Sequence, residues 1–285
     1  MTGPDIKLHI DPLAIPKAVI TPIPIPIHWQ EIVERQINED IALGVFEKVP
    51  IGEPSAWSHR MVLVKKPDGT PRRTVDLSPL NQHCLREPHH VKPPFEQAKS
   101  IPPLTWKSVT DAWNGYHSVP LQPKDRPLTT FITPFGRFRY KVAPQGFLAS
   151  GDGYTQRYDD IISNVQCKSK IVDDTALWDT DLETHWWRML EFLELVGRNG
   201  VVLNREKFQF AQKSIQFAGF VITDSEIRPL DKFLNAIRNF PTPTKLTDIR
   251  SWFGLVNQVA HYNQLTQIML PFKPLLSSKV QFSWT

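Results

Sequence analysis

The sequence predicts an α+β fold, with a mixed body to about residue 228 and a mainly helical tail after it, and three observations carry that prediction. Short β-prone runs bounded by Pro and Gly recur through the body, as in "RMVLVKKPDGTPRRTVDL" and "LTTFITPFGRFRYKV". Apolar residues at helical spacing interrupt them. After Pro229 the strand pattern ends and only helical spacing remains.

Residues 1–28 are punctuated by prolines and run into "TPIPIPIH", which predicts an extended polyproline-type arm or linker rather than a packed element. From Trp29 the positions Ile32, Val33, Ile37 and Ile41 predict a first helix that stops at Gly44. The run Arg60 to Leu77 predicts a hairpin, because Pro67 presets φ and Gly69 takes positive φ between two β-rich stems. Lys65, Lys66, Arg72 and Arg73 lie close to its tip. A strand follows that ends near Asp111, then strand, turn and strand through "LTTFITPFGRFRYKV". Tyr154, Tyr158, Ile161, Ile162 and Val165 predict a helix, and Leu182, Trp186, Met189, Leu190, Leu193 and Val196 another, stopped by Gly200. Short strands continue to "QFAGFVITDSEIRP", and "LDKFLNAIRNF" and "KLTDIRSWFGLVNQVAHY" predict helices on either side of a Pro-Thr-Pro break.

Composition sets outer bounds. The 285 residues suffice for a large core, and 26 prolines imply many rigid turns. An excess of 33 basic over 29 acidic residues is compatible with a polyanionic partner but does not identify one. Cys84 and Cys167 have no CxxC spacing, so a disulfide framework and a zinc site are not indicated and a reducing, intracellular setting is expected. The N-terminus lacks a signal-peptide plan, and no apolar run approaches a membrane span.

Two Asp-Asp pairs stand in the chain. Asp159-Asp160 falls inside a helical period, where both carboxylates are expected at the surface. Asp173-Asp174 falls where two short β-prone runs meet, so both are expected at the mouth of a hairpin with apolar walls. Crowded carboxylates are costly unless a cation compensates. Two of them on rigid backbone with a third from another strand, for which Asp111 is placed, suit hard divalent cations. The plain alternative is an acidic turn.

The ordered segments "GVFEKV", "VLVKKPDGTPRRTVDLSPLN", "DAWNGYHSVPL", "TTFITPFGRFRYKVAPQGF", "IVDD", "LNREKFQF", "FAGFVITDSEIRP" and "DIRSWFGLVNQVAHY" resemble the reverse transcriptase region of gypsy-like long-terminal-repeat retroelements, from about residue 29 to 285. The resemblance implies a right-hand polymerase: fingers and palm with an antiparallel sheet over 29–228, and a helical thumb and the start of a connection over 229–285. It implies that Asp111, Asp173 and Asp174 hold two Mg²⁺ ions, with Mn²⁺ as a substitute, and that Lys65 or Lys66 with Arg72 contacts the triphosphate of an incoming dNTP. Tyr116 matches a steric gate against the ribose 2′-hydroxyl, Gln145 a residue lining the nucleotide pocket, and Phe217, Ala218, Gly219 and Phe220 the loop that grips the primer. Lys207 is a weaker match, and the helix from Ser251 to Tyr262 is expected along the template–primer duplex.

Two positions depart from the family pattern: Ile171 stands where an aromatic usually begins the catalytic hairpin, and Gln145 makes Pro-Gln-Gly of the more frequent Pro-Phe-Gly. Neither removes a carboxylate. The implied activity is DNA synthesis on an RNA or DNA template from a primer strand, in the cytoplasm (within a particle) or the nucleus. Its alternative is an inactive or domesticated relative that binds template–primer without polymerising. RNase H, protease and integrase are expected in a parent polyprotein, and RNase H activity is not expected of this chain. Oligomeric state is not legible.

Overall fold

Most predicted elements form where their patterns place them. In chain order they are α1 (Gln30–Ala42), β1 (Phe46–Lys48), β2 (His59–Lys65), β3 (Pro71–Asp76), α2 (Ser78–Asn81), α3 (Pro94–Lys99), β4 (Trp106–Asp111), β5 (Phe131–Thr133) and β6 (Gly136–Tyr140). There follow α4 (Leu148–Ile161), β7 (Lys168–Ile171), β8 (Asp174–Asp179), α5 (Leu182–Arg198), β9 (Gln209–Gln212), β10 (Ile215–Phe217), β11 (Phe220–Ile222), β12 (Ile227–Pro229), α6 (Asp231–Arg238) and α7 (Leu246–Val259). The computed structural model describes residues 1–113, 115–259, 267 and 269–276. The predicted end of the last helix, including Tyr262, lies outside them.

The chain forms two units. The first comprises Met1–Val91, Thr110–Gln166 and Trp187–Phe208. Its five-stranded sheet has the order β1-β6-β5-β2-β3. The β2–β3 hairpin forms about Pro67-Asp68-Gly69, with Gly69 at φ +84°. Val33 and Ile37 of α1 are buried with Phe46, Phe131, Phe138 and Tyr140. Phe46 meets Phe131 and Tyr140 edge-on, at ring-centroid distances of 5.1 and 4.8 Å.

Two expectations for this unit are corrected. The N-terminal arm is extended, but it is packed: Ile6 bridges Leu121, Ile10 bridges Cys84, Ala18 bridges Ser58, and the Leu8 N–H donates to Asp125 Oδ2 at 3.0 Å. Proline spacing suggested a bare arm, yet Ile6, Leu8 and Ile10 alternate with polar residues at strand period and turn inward. Helix α4 also begins at Leu148, six residues before the predicted Tyr154. Gly151 and Gly153 lower its intrinsic propensity, but a Cβ on Gly153 would stand 2.7 Å from Ile6 Cδ1, so tertiary packing uses what propensity disfavours.

The second unit comprises Lys92–Val109, Cys167–Trp186 and Gln209 onward. It contains a four-stranded sheet in the order β7-β8-β4-β9 and a three-stranded sheet β10-β11-β12. A core of Val109, Ala176, Ile215, Phe217, Phe220 and Ile222 joins residues of both. A smaller cluster gathers Ile249, Phe253 and Val256 of α7 with Met269.

A buried polar relay braces the four-stranded sheet. The Asp179 Oδ2 carboxylate oxygen accepts from His185 Nδ1 at 3.0 Å, and His185 Nε2 lies 2.7 Å from Ser108 Oγ, which itself accepts the Ala211 N–H at 3.0 Å. Leucine in place of His185 withdraws partners from two buried groups, so we expect a loss of about 2–3 kcal/mol. Urea unfolding checks this: the midpoint should fall at unchanged slope, and an unchanged midpoint would refute the relay's contribution. Among the described residues no helix is long and apolar enough to cross a membrane.

Candidate active site

The Asp173-Asp174 pair lies where the hairpin reading put it. Strands β7 and β8 pair from Lys168↔Leu177 to Ile171↔Asp174, which leaves Val172 and Asp173 as a two-residue turn. Val172 has φ +47°, a conformation such turns normally give to Gly and which a β-branched residue adopts at a cost of about 1–3 kcal/mol. The strain is held from below, since Thr175, Ala176 and Leu177 are fully buried and the Lys170 ammonium donates to the Val172 carbonyl at 3.3 Å. Both carboxylates are half-buried on rigid backbone. By contrast Asp160 is exposed, whereas Asp159, expected at the surface, accepts a 2.7 Å bond from His89.

Asp111 is the last residue of β4, which neighbours β8 in the sheet order. Its carboxylate meets Lys207 Nζ at 2.8 Å. Local chemistry delivers that lysine: the Asn204 N–H bonds to the Asp111 carbonyl at 2.8 Å, and Asn204 Oδ1 caps the short turn Arg205–Lys207 by accepting the Glu206 N–H at 3.0 Å. Lys207, the weakest of the sequence candidates, therefore touches one of the strongest.

At the β2–β3 hairpin the basic residues separate by face. Val64 pairs with Arg72 and Lys65 with Pro71, and the Lys66 N–H continues the ladder to the Thr70 carbonyl at 2.9 Å. Alternation then sets Lys66 and Arg72 on one face, and Lys65 and Arg73 on the other. Lys65, Lys66 and Arg72 are exposed. Arg73 is committed to the fold, donating to Asp40 Oδ2 at 2.7 Å and Gln36 Oε1 at 2.9 Å. At the tip, hydrogen bonds from the Thr70 hydroxyl and amide hold the Asp68 carboxyl below its ordinary range.

Tyr116 lies in the short 3₁₀ turn Gly115–Ser118 and rests against Tyr154, 5.4 Å between ring centroids. Gly115 is required there, because a Cβ would come within 2.3 Å of Tyr154 Cζ. Gln145 is exposed on a turn completed by Gly146 at φ +89°. Asn81 clamps this turn, donating to the Gly146 carbonyl at 2.8 Å and accepting the Leu148 N–H at 3.0 Å. Sequence reasoning passed over Asn81, although it closes the "LSPLN" segment.

The four residues of "FAGF" have two different fates. Phe217 and Phe220 are each 2% exposed and belong to the core between the sheets, while Ala218 at φ +57° and Gly219 at φ +89° form the turn and present backbone. Phe233 limits Gly219 further, 3.3 Å from where a Cβ would stand.

Among the described residues no three His, Cys, Asp or Glu side chains form a group that could hold a metal ion. The donor chemistry of Asp111, Asp173 and Asp174 nevertheless suits a hard divalent cation, being oxygen alone, and Asp111 already has a cationic partner in Lys207.

The family model for reverse transcriptase (RNA-dependent DNA polymerase) matches residues 64–222. The retrovirus-related Pol polyprotein from transposon opus of Drosophila melanogaster is 25% identical over 246 residues, 85% of this chain and 24% of that protein. A putative enzymatic polyprotein of Cassava vein mosaic virus is 25% identical over 88% of this chain and 40% of its own length. The transposon Tf2-3 polyprotein of Schizosaccharomyces pombe is 24% identical over 92% of this chain and 20% of its own. The chain thus spans less than half the length of each of these relatives. Among solved structures, the foamy viral protease-reverse transcriptase dRH in complex with double-stranded DNA superposes with a TM-score of 0.81 at 22% identity, covering 98% of this chain and 50% of that one. The foamy viral protease-reverse transcriptase in complex with an RNA/DNA hybrid gives 0.80 at 21%, covering 97% and 37%. At these identities the likeness establishes the fold.

Proposed function

The chain belongs to the reverse transcriptase (RNA-dependent DNA polymerase) family and has the α+β right-hand polymerase fold, and from that premise we propose that it extends a primer 3′-hydroxyl with dNTPs on RNA or DNA templates. The observation that carries this reading is the strained β7–β8 turn that presents Asp173 and Asp174. We assign the fingers and palm to residues 29–228, and the thumb with the start of a connection to residues 229–285.

Asp111, Asp173 and Asp174 are the residues that would hold two Mg²⁺ ions, with Mn²⁺ as a substitute. When bound, such ions lower the pKa of the attacking hydroxyl and stabilise the departing pyrophosphate. The chain's own contribution is placement. The Val172–Asp173 turn fixes the direction of two carboxylates before substrate arrives, so no reorganisation is needed during the reaction. Lys207, an ammonium already at Asp111, keeps that carboxylate compensated.

Lys66 and Arg72 share one exposed face of the fingers hairpin, which supports them over Lys65 as the contacts to the triphosphate. Arg72→Ala should raise the KM for dNTP about tenfold, the loss expected for one charge-assisted hydrogen bond, with duplex binding little changed. Single-nucleotide incorporation on a primed DNA template measures this, and also tests polymerase activity itself. An unchanged KM would remove Arg72 from the nucleotide site. The backbone of Ala218 and Gly219, rather than the buried rings of Phe217 and Phe220, is the part of the primer grip able to meet a sugar-phosphate chain. Gln145, held by the Asn81 clamp, faces the nucleotide in this reading. The relatives are polyproteins, which supports the reading that this chain belongs to a parent polyprotein, the expected place of RNase H, protease and integrase.

A further inference from the structure

Lys107 stands in β4 with a side chain that is 0% exposed. Its ammonium donates to the Thr105 carbonyl at 3.0 Å, the Lys213 carbonyl at 3.3 Å and Asp224 Oδ1 at 2.9 Å, which engages all three hydrogens. Asp224 lies in the turn between β11 and β12, and the same oxygen accepts the Leu104 N–H at 2.9 Å. A buried ammonium is costly unless paired, and this pair joins residues 117 positions apart. The hydrogen bond from Lys107 holds the Asp224 carboxyl below its ordinary range, so its charge persists until the pH falls through that lowered value.

The pair joins two sheets with different tasks. One presents the Asp173-Asp174 hairpin, the other the Ala218–Gly219 turn. Apolar contacts among Val109, Ala176, Phe217 and Phe220 hold the sheets together but are non-directional. A charge-assisted hydrogen bond has a set length and angle. Asp224 is only four residues beyond Phe220, about 13 Å of extended chain, so a displacement at the tie reaches the turn along one short strand.

We propose that Lys107 and Asp224 are positioning residues that set the register of the primer-grip turn against the Asp173-Asp174 hairpin, and so set where the primer 3′ end rests. This proposal rests on the polymerase reading for its consequence, but not for the tie itself. It predicts altered placement of the primer end with little change in duplex affinity.

The test compares the unaltered chain with Lys107→Met, Asp224→Asn and the double variant. Amide hydrogen exchange over residues 215–222, without substrate, should rise about tenfold in the single variants while β2–β3 amides stay unchanged. Incorporation from a matched primer end should fall about tenfold, and from a mismatched end by less, at unchanged dNTP KM. Removing both charges should restore the melting temperature but leave the matched-to-mismatched ratio low. Should Lys107→Met fail to fold, Asp224→Asn, whose side chain is 31% exposed, decides the matter. Unchanged exchange over 215–222, or a ratio that returns with the melting temperature in the double variant, would overturn the proposal. If the unaltered chain extends no primer, the polymerase reading fails while the exchange measurement still judges the tie.

Discussion

An Asp173→Asn chain is expected to bind template–primer as the unaltered chain does and to extend it about a thousandfold more slowly or worse. A metal-held transition state is worth several kcal/mol, and each 1.4 kcal/mol is about a factor of ten. Asparagine preserves the size of the side chain in the Val172–Asp173 turn, so β7–β8 pairing should survive, and circular dichroism and duplex affinity check that it does. The informative control is Asp160→Asn. That residue belongs to the other Asp-Asp pair and is exposed on α4, so its loss should leave extension within about twofold, as for other surface substitutions. Comparable losses in both variants would mean that the Asp173 effect is not local chemistry.

The second large effect concerns sugar choice. Tyr116→Val should lower discrimination against ribonucleotides about a hundredfold, the scale on which a shaped pocket rejects one added hydroxyl. The ring is well placed to act as a rigid wall: it rests on Tyr154, Gly115 leaves that contact room, and a Cβ on Gly151 of α4 would stand 3.7 Å from its hydroxyl. Valine shortens the side chain without disturbing that support. Competition between a dNTP and its ribonucleotide for one template position measures the ratio, and an unchanged ratio would return Tyr116 to the role of a packing aromatic.

What could be read from sequence was local. The Pro67-Asp68-Gly69 turn, the Val33 and Ile37 face of α1, and the Asp173-Asp174 hairpin each rest on a pattern a few residues long. What escaped depends on contacts distant in the chain. The glycines of α4 concealed its first turn, since what favours the helix there is Ile6 filling the space that Gly153 leaves. The prolines of the arm concealed the strand-like alternation of Ile6, Leu8 and Ile10, which was present in the sequence and would have revealed its packing. Lys65 and Lys66 could not be separated without the register of β2 and β3. Ser108 and His185 lie 77 residues apart, and nothing near either of them announces the other. Lys107 went unremarked inside a β-prone run, because the acid that pairs it, Asp224, lies 117 residues away.

RNA-templated DNA synthesis by these residues is decided by extension of a DNA primer annealed to an RNA template, with dNTPs and Mg²⁺, by the unaltered chain. Template-directed products should lengthen with time and require the divalent cation. Tight duplex binding with no incorporation at any Mg²⁺ or Mn²⁺ concentration would contradict the polymerase reading, and would identify a relative that holds template and primer without joining nucleotides.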